Sequence, residues 1–432
     1  MTASQSMDDT SYPDSYYAAT ANVLPPFPRL QGPIEGEVCV IGGGLTGLSA
    51  ALHLAREGLE VVLLEAQRVG WGASGRNGGQ LGSGLRLSQD CLEGMFGEAK
   101  AQALWQLGEA AKALVKDLVA RHAIACDLKP GVLYPLHRAR EMGWARDYVR
   151  WLQDKYHYPH IRFIDDAELS HHLGTRLYYG GWLDTGAAHL HPLNLSLGLA
   201  QAAADVGVRI FEGTRALGRR GDDPIVVATP GGEVRCRAVV LGCNGYLESL
   251  EPRIMGKIMP INNYICATVP LGEELASSLI RDDVAVADSR FVVNYFRLSA
   301  DKRLLFGGGE TYTRRFPKRM KDFVRKHMLK VYPQLKEVPI DYAWGGTLAI
   351  TLNRLPHVGR LAPNVYFAQG YSGHGLALAV LAGAVLAEAI AGRRERFELL
   401  ASLPVPSFPG GPYLRWPGLV AGMFYYALRD RL

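Results

Sequence analysis

The stretch EVCVIGGGLTGLSAALHLAREGLEVVLLE, residues 37–65, restricts the possible folds of this chain more than any other. EVCVIG is a short apolar run of the kind that fills a buried parallel strand. LTGLSAALHLAREGL has helical periodicity, and EVVLLE reads as a second strand. Strand, glycine turn, helix and strand within about thirty residues make one βαβ unit. The turn GGGLTG fits G-x-G-x-x-G with Gly42, Gly44 and Gly47. That motif alone is weak, but here it follows a strand and opens a helix, which is the context it requires. Gly42 permits the tight turn. Gly44 lets backbone amides approach a pyrophosphate at the helix N-terminus, and Gly47 lets the helix pack close to the strand. Glu65 ends the second strand, where a carboxylate can accept the ribose hydroxyls of an adenosine. An ordinary glycine-rich turn beside a solvated glutamate would leave the joint register of strand, helix and acid unexplained. The prediction is an α/β fold containing a Rossmann-like dinucleotide-binding domain.

Three features favour FAD over a nicotinamide as the dinucleotide. The glycine motif lies near the N-terminus. A polar, glycine-rich loop, WGASGRNGGQ at 71–80, follows Glu65 within six positions. The chain also has one complete fingerprint, because GGGETY at 307–312 follows a strand but opens no helix.

The remaining pattern predicts a domain assembled from separated segments. Residues 90–122 are helix-rich. HPLNLSLGLAQAAADVG reads as a helix and VRIFEG as a strand, and 224–241 alternate like a β-meander around a tight PGG turn. Residues 258–310 are strand-rich, and a helix is expected around 318–332. The expected organisation, α/β with α+β character, begins with an N-terminal strap at 1–30. A discontinuous FAD-binding domain follows from 31–95, 191–250 and 345–400, with an antiparallel-sheet substrate domain from 96–190 and 251–344. A C-terminal extension occupies 401–432.

Composition narrows the function classes. The net charge of +5 comes from basic residues spread along the chain, without an arginine-rich tail or an aromatic–basic interleave, so nucleic-acid binding is not expected. None of the six cysteines forms a CxxC pair and no His/Cys set has zinc spacing, so no metal is expected. The cysteine pattern suits a reducing cytoplasm. The polar, acidic N-terminus lacks the marks of a signal peptide. The longest apolar run, Leu376 to Ala387, is too short to span a bilayer and reads as a buried helix. The C-terminal WPGLVAGMFYYALRDRL is amphipathic and is expected to pack on the protein's own body, with a dimer contact or a membrane-surface helix as alternatives. The oligomeric state stays open.

A second glycine-rich turn, GYSGHGL at 370–376, feeds a long helix. A helix N-terminus carries partial positive charge and free N–H groups, and aimed at the N1/O2 edge of a flavin it would stabilise the reduced ring. His374 in this turn can be catalytic, can hydrogen-bond the flavin, or can satisfy the backbone.

Taken together, Gly42 to Glu65, GASGRNGGQ at 72–80, HPLNL at 191–195, YFRLSADKRLLFGGG at 295–309 and GYSGHG at 370–375 resemble the glycine/sarcosine/D-amino-acid oxidase superfamily of FAD amine oxidoreductases. Within it they are most similar to the gamma-glutamylputrescine oxidase subgroup, from SYYAATAN at 15–22 to YYALRDRL at 425–432. The resemblance implies a flavin domain, an antiparallel substrate domain, and an amine oxidised over the isoalloxazine. It puts Gly42, Gly44, Leu45, Thr46 and Gly47 at the pyrophosphate and Glu65 at the ribose. Ala66, Arg68 and Ala216 fall toward the adenosine. Ala73, Ser74, Asn77, Gly78, Gly79 and Gln80 lie along the phosphates and ring, and Gly345 is also a cofactor contact. Gly370, Tyr371, Ser372, Gly373, His374, Gly375 and Leu376 edge the flavin. Arg76 can be a phosphate clamp, a packing partner or a substrate gate.

Departures from the family pattern refine the expectation. Ala377 stands where sarcosine oxidases hold the substrate carboxylate with a lysine, and Leu348 where glycine and D-amino-acid oxidases have an arginine. An amine whose reacting carbon bears no carboxylate fits both absences, and a gamma-glutamylated diamine is one. No cysteine lies in 345–355 and no histidine in 72–82, so the FAD is expected to be non-covalent. The implied products are an imine hydrolysed to aldehyde and ammonia, with O2 reduced to H2O2. A quinone- or carrier-linked dehydrogenase, a secondary-amine (N-methyl) oxidase, and a non-catalytic flavin-binding protein are the alternatives. The catalytic group is open, with Tyr371, His374 and Trp344 as candidates. Tyr295, Arg297, Arg354 and Tyr371 are the substrate-binding candidates, either arginine being able to hold a distal carboxylate or to form a surface salt bridge. His189 and His191 can face the flavin or cap the next helix, and Asn262 and Asn263 are further polar candidates.

Overall fold

The computed structural model describes residues 11–311 and 316–410. The C-terminal segment WPGLVAGMFYYALRDRL lies outside them. The stretch 37–65 forms the expected unit: strand Val38–Ile41, helix Leu45–Arg56 and strand Val61–Leu64. Both strands are buried along their whole length, as apolar runs between two covering layers must be.

They sit centrally in a six-stranded sheet. Its order is His357–Ala362, Val365–Gln369, Ala238–Leu241, Val38–Ile41, Val61–Leu64 and Arg209–Phe211. All are parallel except the first, which runs antiparallel to its neighbour. Strand alternation divides the core. Val38 and Val40 face the helical layer, packing with Leu48, Leu52 and Val380. Cys39 and Ile41 face a four-stranded sheet and pack with Val227, Val234 and Cys236. Gly383 in the long helix Gly375–Ile390 permits a close helix crossing, since a Cβ there would lie 2.3 Å from Thr46 O.

The expected meander at 224–241 is split. Ile225–Ala228 and Glu233–Cys236 pair as a hairpin in the four-stranded sheet, whereas Ala238–Leu241 crosses into the parallel sheet beside Val38–Ile41. The fully apolar AVVL needs cover on both faces, which the hairpin could not provide.

The third sheet has nine strands and is antiparallel apart from one parallel pair, Ala285–Ala287 with Lys129–Pro135. Its longest strands are Met259–Thr268 and Ile340–Ile350. The latter runs through residue 345, and Gln80–Leu81 of the glycine-rich loop joins the far edge by pairing with Gly181–His189. Helix Met320–Val331 covers the outer face with Val324, Met328 and Val331 against Tyr264, Phe296 and Phe306. The inner face turns toward the carboxyl ends of the parallel strands. Among the described residues no helix is long and apolar enough to cross a membrane.

Candidate active site

Two cavities meet where the parallel strands end. Both are lined by Gly44, Ala73, Ser74, Gly242 and Asn244, so they form one elongated cleft. Open α/β sheets bind ligands at this position, outside the carboxyl ends of their strands.

The smaller cavity, about 140 Å³, is lined by Gly42, Glu65, Ala66, Arg215, Ala216 and Tyr246, among others. Glu65 lies at the end of its strand. Its Oε2 accepts from Gly43 N (2.7 Å) and its Oε1 from Gln67 N (2.8 Å). Burial pushes its carboxyl upward, and these backbone donors oppose the shift. Gly42 has φ +108°, and a Cβ there would lie 2.9 Å from Gly242 O. A Cβ on Gly44 would meet Ser74 Oγ at 2.8 Å, and Ser74 Oγ accepts from Leu45 N (3.0 Å) at the helix N-terminus. The glycine turn and the loop at 71–80 are thus stitched together at the place where a helix start offers N–H groups to an anion.

The larger cavity, about 330 Å³, continues along this loop to the second glycine turn. Leu45, Thr46, Arg76, Asn77, Gly78, Gln80 and Tyr371 through Leu376 line it. Asn77 is spent on the loop itself. Its Nδ2 donates to Ala73 O and Ser74 O, and its Oδ1 accepts from Gly79 N. Gln80 donates to Val286 O (2.8 Å). Tyr371 and Thr46 share a 2.6 Å hydroxyl contact that ties the two glycine turns together, and burial raises the phenol so that it stays protonated.

Of its three expected roles, Arg76 shows that of a packing partner, and it keeps one donor spare. Its guanidinium stacks 4.0 Å over Trp71 and donates to Trp71 O (2.6 Å) and Gly345 O (3.1 Å), which is packing. Its Nη2 is buried with no partner in the protein, and the residue lines the cavity. An orphaned cationic donor at a cleft already furnished with a helix N-terminus and an adenosine-type carboxylate fits a diphosphate-bearing dinucleotide.

The inner face of the large sheet supplies the opposite wall. Tyr295 lies flat over Gly307 and against Gly78; a Cβ would meet its ring at 2.1 Å and 2.7 Å respectively. Its hydroxyl donates to Asn263 Oδ1, and both residues line the cavity. Leu348 and Arg354 line it too, Arg354 at φ +64° and 5.2 Å above the Phe291 ring.

Several sequence candidates lie elsewhere. Arg297 shares the strand face of Tyr295 but does not line the cavity. It is buried beneath the loop, donating to Gly78 O (3.0 Å), Leu190 O (2.9 Å) and Leu298 O (3.2 Å). Carbonyls rather than solvent or ligand satisfy it, so it cannot hold a substrate carboxylate. Trp344 is likewise buried, its Nε1 donating to Arg76 O, and Gly345 contributes its carbonyl to Arg76. Neither lines either cavity, nor do Gly79 and Gly370. Gly47 sits behind the turn, and Arg68 is engaged with Glu212 (2.8 Å). His191 caps helix Pro192–Asp205, its Nδ1 accepting from Asn194 N, and His189 bonds Asp283 O. Asn262 does not reach the cavity; its Oδ1 accepts from Thr347.

The cavity also takes residues that the sequence reading missed. Gly242 and Asn244 follow the parallel strand Ala238–Leu241, and a strand end in that sheet was the available signal. Tyr134, Asp288 and Phe291 come from the inserted segments and Arg86 from the chain just after the glycine-rich loop, and none carries a local motif.

His374 opens on the cavity and is enclosed elsewhere by protein. A ring nitrogen lies 3.2 Å from Gly84 O. Burial, reinforced by the charge of Arg86, lowers it to about 4, so it is neutral near pH 7. Burial and the Arg297 charge lower His189 and His191 to about 3, and burial lowers His357 to about 4. In the unfolded chain all four take up a proton near pH 6.5, while the folded protein resists until far lower pH. Stability is therefore full above pH 6.5 and is lost as pH falls toward the folded values, by about 1.4 kcal/mol per pH unit for each histidine. The expected result is a lower Tm at pH 5.5 than at pH 7.5, with a shallower drop in His191→Asn, which keeps a capping side chain. An unchanged Tm across that range would mean that these histidines are not held neutral.

Comparison with known proteins agrees with this geometry. Residues 37–389 match the profile of the family described as FAD dependent oxidoreductase. The chain is 40% identical over 425 residues to "Gamma-glutamylputrescine oxidoreductase" of Escherichia coli (strain K12), covering 98% of this chain and 99% of the relative. It is 41% identical over 418 residues to "Probable oxidoreductase OrdL" of Rhizobium meliloti (strain 1021), covering 96% and 97%. The structure also resembles crystalline glycine oxidase from Geobacillus kaustophilus, with a TM-score of 0.69 at 21% identity over 84% of this chain and 97% of that one. The chain belongs to the family of FAD dependent oxidoreductases, and it is an FAD-dependent enzyme.

Proposed function

We propose that the enzyme oxidises the terminal primary amine of a gamma-glutamylated diamine, gamma-glutamylputrescine or a close analogue, to an imine that hydrolyses to aldehyde and ammonia. The observation that carries this reading is the distribution of charge in the larger cavity. Leu348 presents an apolar side chain at its wall, while Arg354 and Arg86 also line it. Ala377 is buried in the long helix and offers no cation. A carboxylate recognised here would thus be held away from the reacting amine. The name of the 40%-identical relative supports the same substrate.

Bound FAD supplies the two-electron acceptor, and in an oxidase it passes those electrons to O2, giving H2O2. The residues that would hold it are those of the glycine turn, Glu65, Ser74, Arg76 and the turn at 370–376. The chain's own work is orientation and exclusion of water. Tyr295, fixed by Asn263, and Tyr371, fixed by Thr46, wall the amine site, and burial keeps the Tyr371 phenol protonated. His374, neutral, can accept a hydrogen bond from an approaching amine but is a weak base once lowered to about 4. Deprotonated amine is therefore the form that reacts, and kcat/KM is expected to rise with pH through the amine's own ionisation.

The test is an anaerobic flavin-reduction screen over gamma-glutamyl amines, free polyamines and N-methyl amino acids. Bleaching by gamma-glutamylputrescine ahead of the others, with ammonia as product, is the expected result. Reduction by N-methyl amino acids with formaldehyde release would replace it by the secondary-amine reading. Oxygen uptake with peroxide formation, against dye reduction without it, decides between oxidase and carrier-linked dehydrogenase.

A further inference from the structure

The N-terminal strap lines neither cavity, yet several of its contacts fall on the loop at 69–79 or on the side chains beneath it. It precedes residue 37, where the family match begins. Trp71 Nε1 donates to Ser11 O (3.1 Å), and Tyr12 hydroxyl donates to Val69 O (2.8 Å) while its ring lies 5.1 Å from the Arg68 guanidinium. Tyr17, on the short helix Tyr16–Ala19, is fully buried. It packs edge-on against Trp344 (5.1 Å) and His191 (4.8 Å) and accepts from Arg297 Nη2 (3.3 Å).

Trp344 and Arg297 are the two side chains that grip the loop from below. Trp344 donates to the carbonyl of Arg76, and Arg297 to the carbonyl of Gly78. Tyr17 touches both. Two carbonyls, on either side of Asn77, are thereby set by one ring. The loop's other surface carries Ser74 Oγ and the unpartnered Arg76 Nη2 into the cleft.

We infer that the strap is a built-in clamp for the FAD-binding loop, and that Tyr17 and Tyr12 are positioning residues whose loss loosens the cofactor. The mechanism is preorganisation: a loop held in its binding conformation loses less freedom when the ligand arrives. The inference rests on the FAD assignment and is independent of which amine is oxidised.

The experiment measures the dissociation constant for FAD by titrating apoprotein of full-length variants, together with the Tm of apo and holo forms. Tyr17→Phe and Tyr12→Phe each remove one hydroxyl contact and should weaken FAD binding about three- to tenfold. Tyr17→Leu should weaken it more. Tyr16→Phe is the control, because the Tyr16 hydroxyl donates to Asp301 (2.7 Å) and not to the loop. It should lower the Tm while leaving FAD affinity unchanged. The stabilisation that FAD confers should shrink in the Tyr17 and Tyr12 variants and persist in Tyr16→Phe. If Tyr17→Leu does not fold, the two phenylalanine variants decide. FAD affinities within twofold of the parent in both, or an equal loss in Tyr16→Phe, would overturn the inference.

Discussion

Gly47→Ala is expected to yield protein that is isolated without flavin. The added methyl carbon would lie 1.9 Å from Gly42 O and 3.1 Å from Gly42 C, far inside van der Waals contact. Nothing flexible can yield, since the obstacle is the backbone of the turn. Either helix Leu45–Arg56 moves off strand Val38–Ile41 or the turn opens. Overpacking of this kind costs about 1–3 kcal/mol or more in stability. The larger loss falls on the cofactor, because the helix start and the Ser74 contact at Leu45 N move together. FAD affinity should fall by about a hundredfold, roughly 2.7 kcal/mol. The ratio of flavin to protein absorbance and an FAD titration measure it. Gly94→Ala is the matched control. Gly94 lies in helix Gln89–Phe96 and has nothing within 4 Å of its added Cβ. That variant should keep its flavin and gain up to about 1 kcal/mol from helix propensity. Flavin content within twofold of the parent in Gly47→Ala would remove the glycine turn from the cofactor site.

Arg354→Met is expected to raise KM for gamma-glutamylputrescine by about fiftyfold while kcat changes less than about threefold. The guanidinium is replaced by an apolar chain of comparable reach, and a charge-assisted contact to a substrate carboxylate is worth about 1.5–3 kcal/mol. A contact distant from the reacting carbon is made in ground state and transition state alike, so its loss appears in KM. Putrescine, which lacks the glutamyl carboxylate, should show no such penalty. If the variant loses both substrates equally, Arg354 serves the cavity's structure through its position over Phe291 and its left-handed backbone. If it loses neither, Arg86, which also lines the cavity and has no place in the cofactor's cradle, is the next arginine to replace.

Arg297 and Arg354 show where sequence reasoning stops. Tyr295 and Arg297 were rightly placed on one strand face, because side chains alternate with period two. Tyr295 reaches the cavity and Arg297 does not. What separates them is the loop carrying Gly78 and Gly79, which lies 219 residues upstream and covers the second position with its carbonyl. Trp344 fails as a site residue for the same reason. Arg86 and Tyr134 are the converse, residues without any motif that the assembled sheets bring to the cavity.

The amino-acid sequence by itself determined the dinucleotide unit at 37–65, the order of most strands and helices, the second glycine turn, and through these the fold class and FAD. Each of those rests on spacing within about thirty residues, where helix and strand periods and glycine's freedom dictate the outcome locally. Tertiary structure alone decided that Ala238–Leu241 leaves its hairpin for the parallel sheet, that the N-terminal strap reaches under the cofactor loop, and which arginine faces the cavity. Those outcomes depend on which layer covers a given face, and that is set by packing between segments far apart in the chain rather than by the pattern within any one of them.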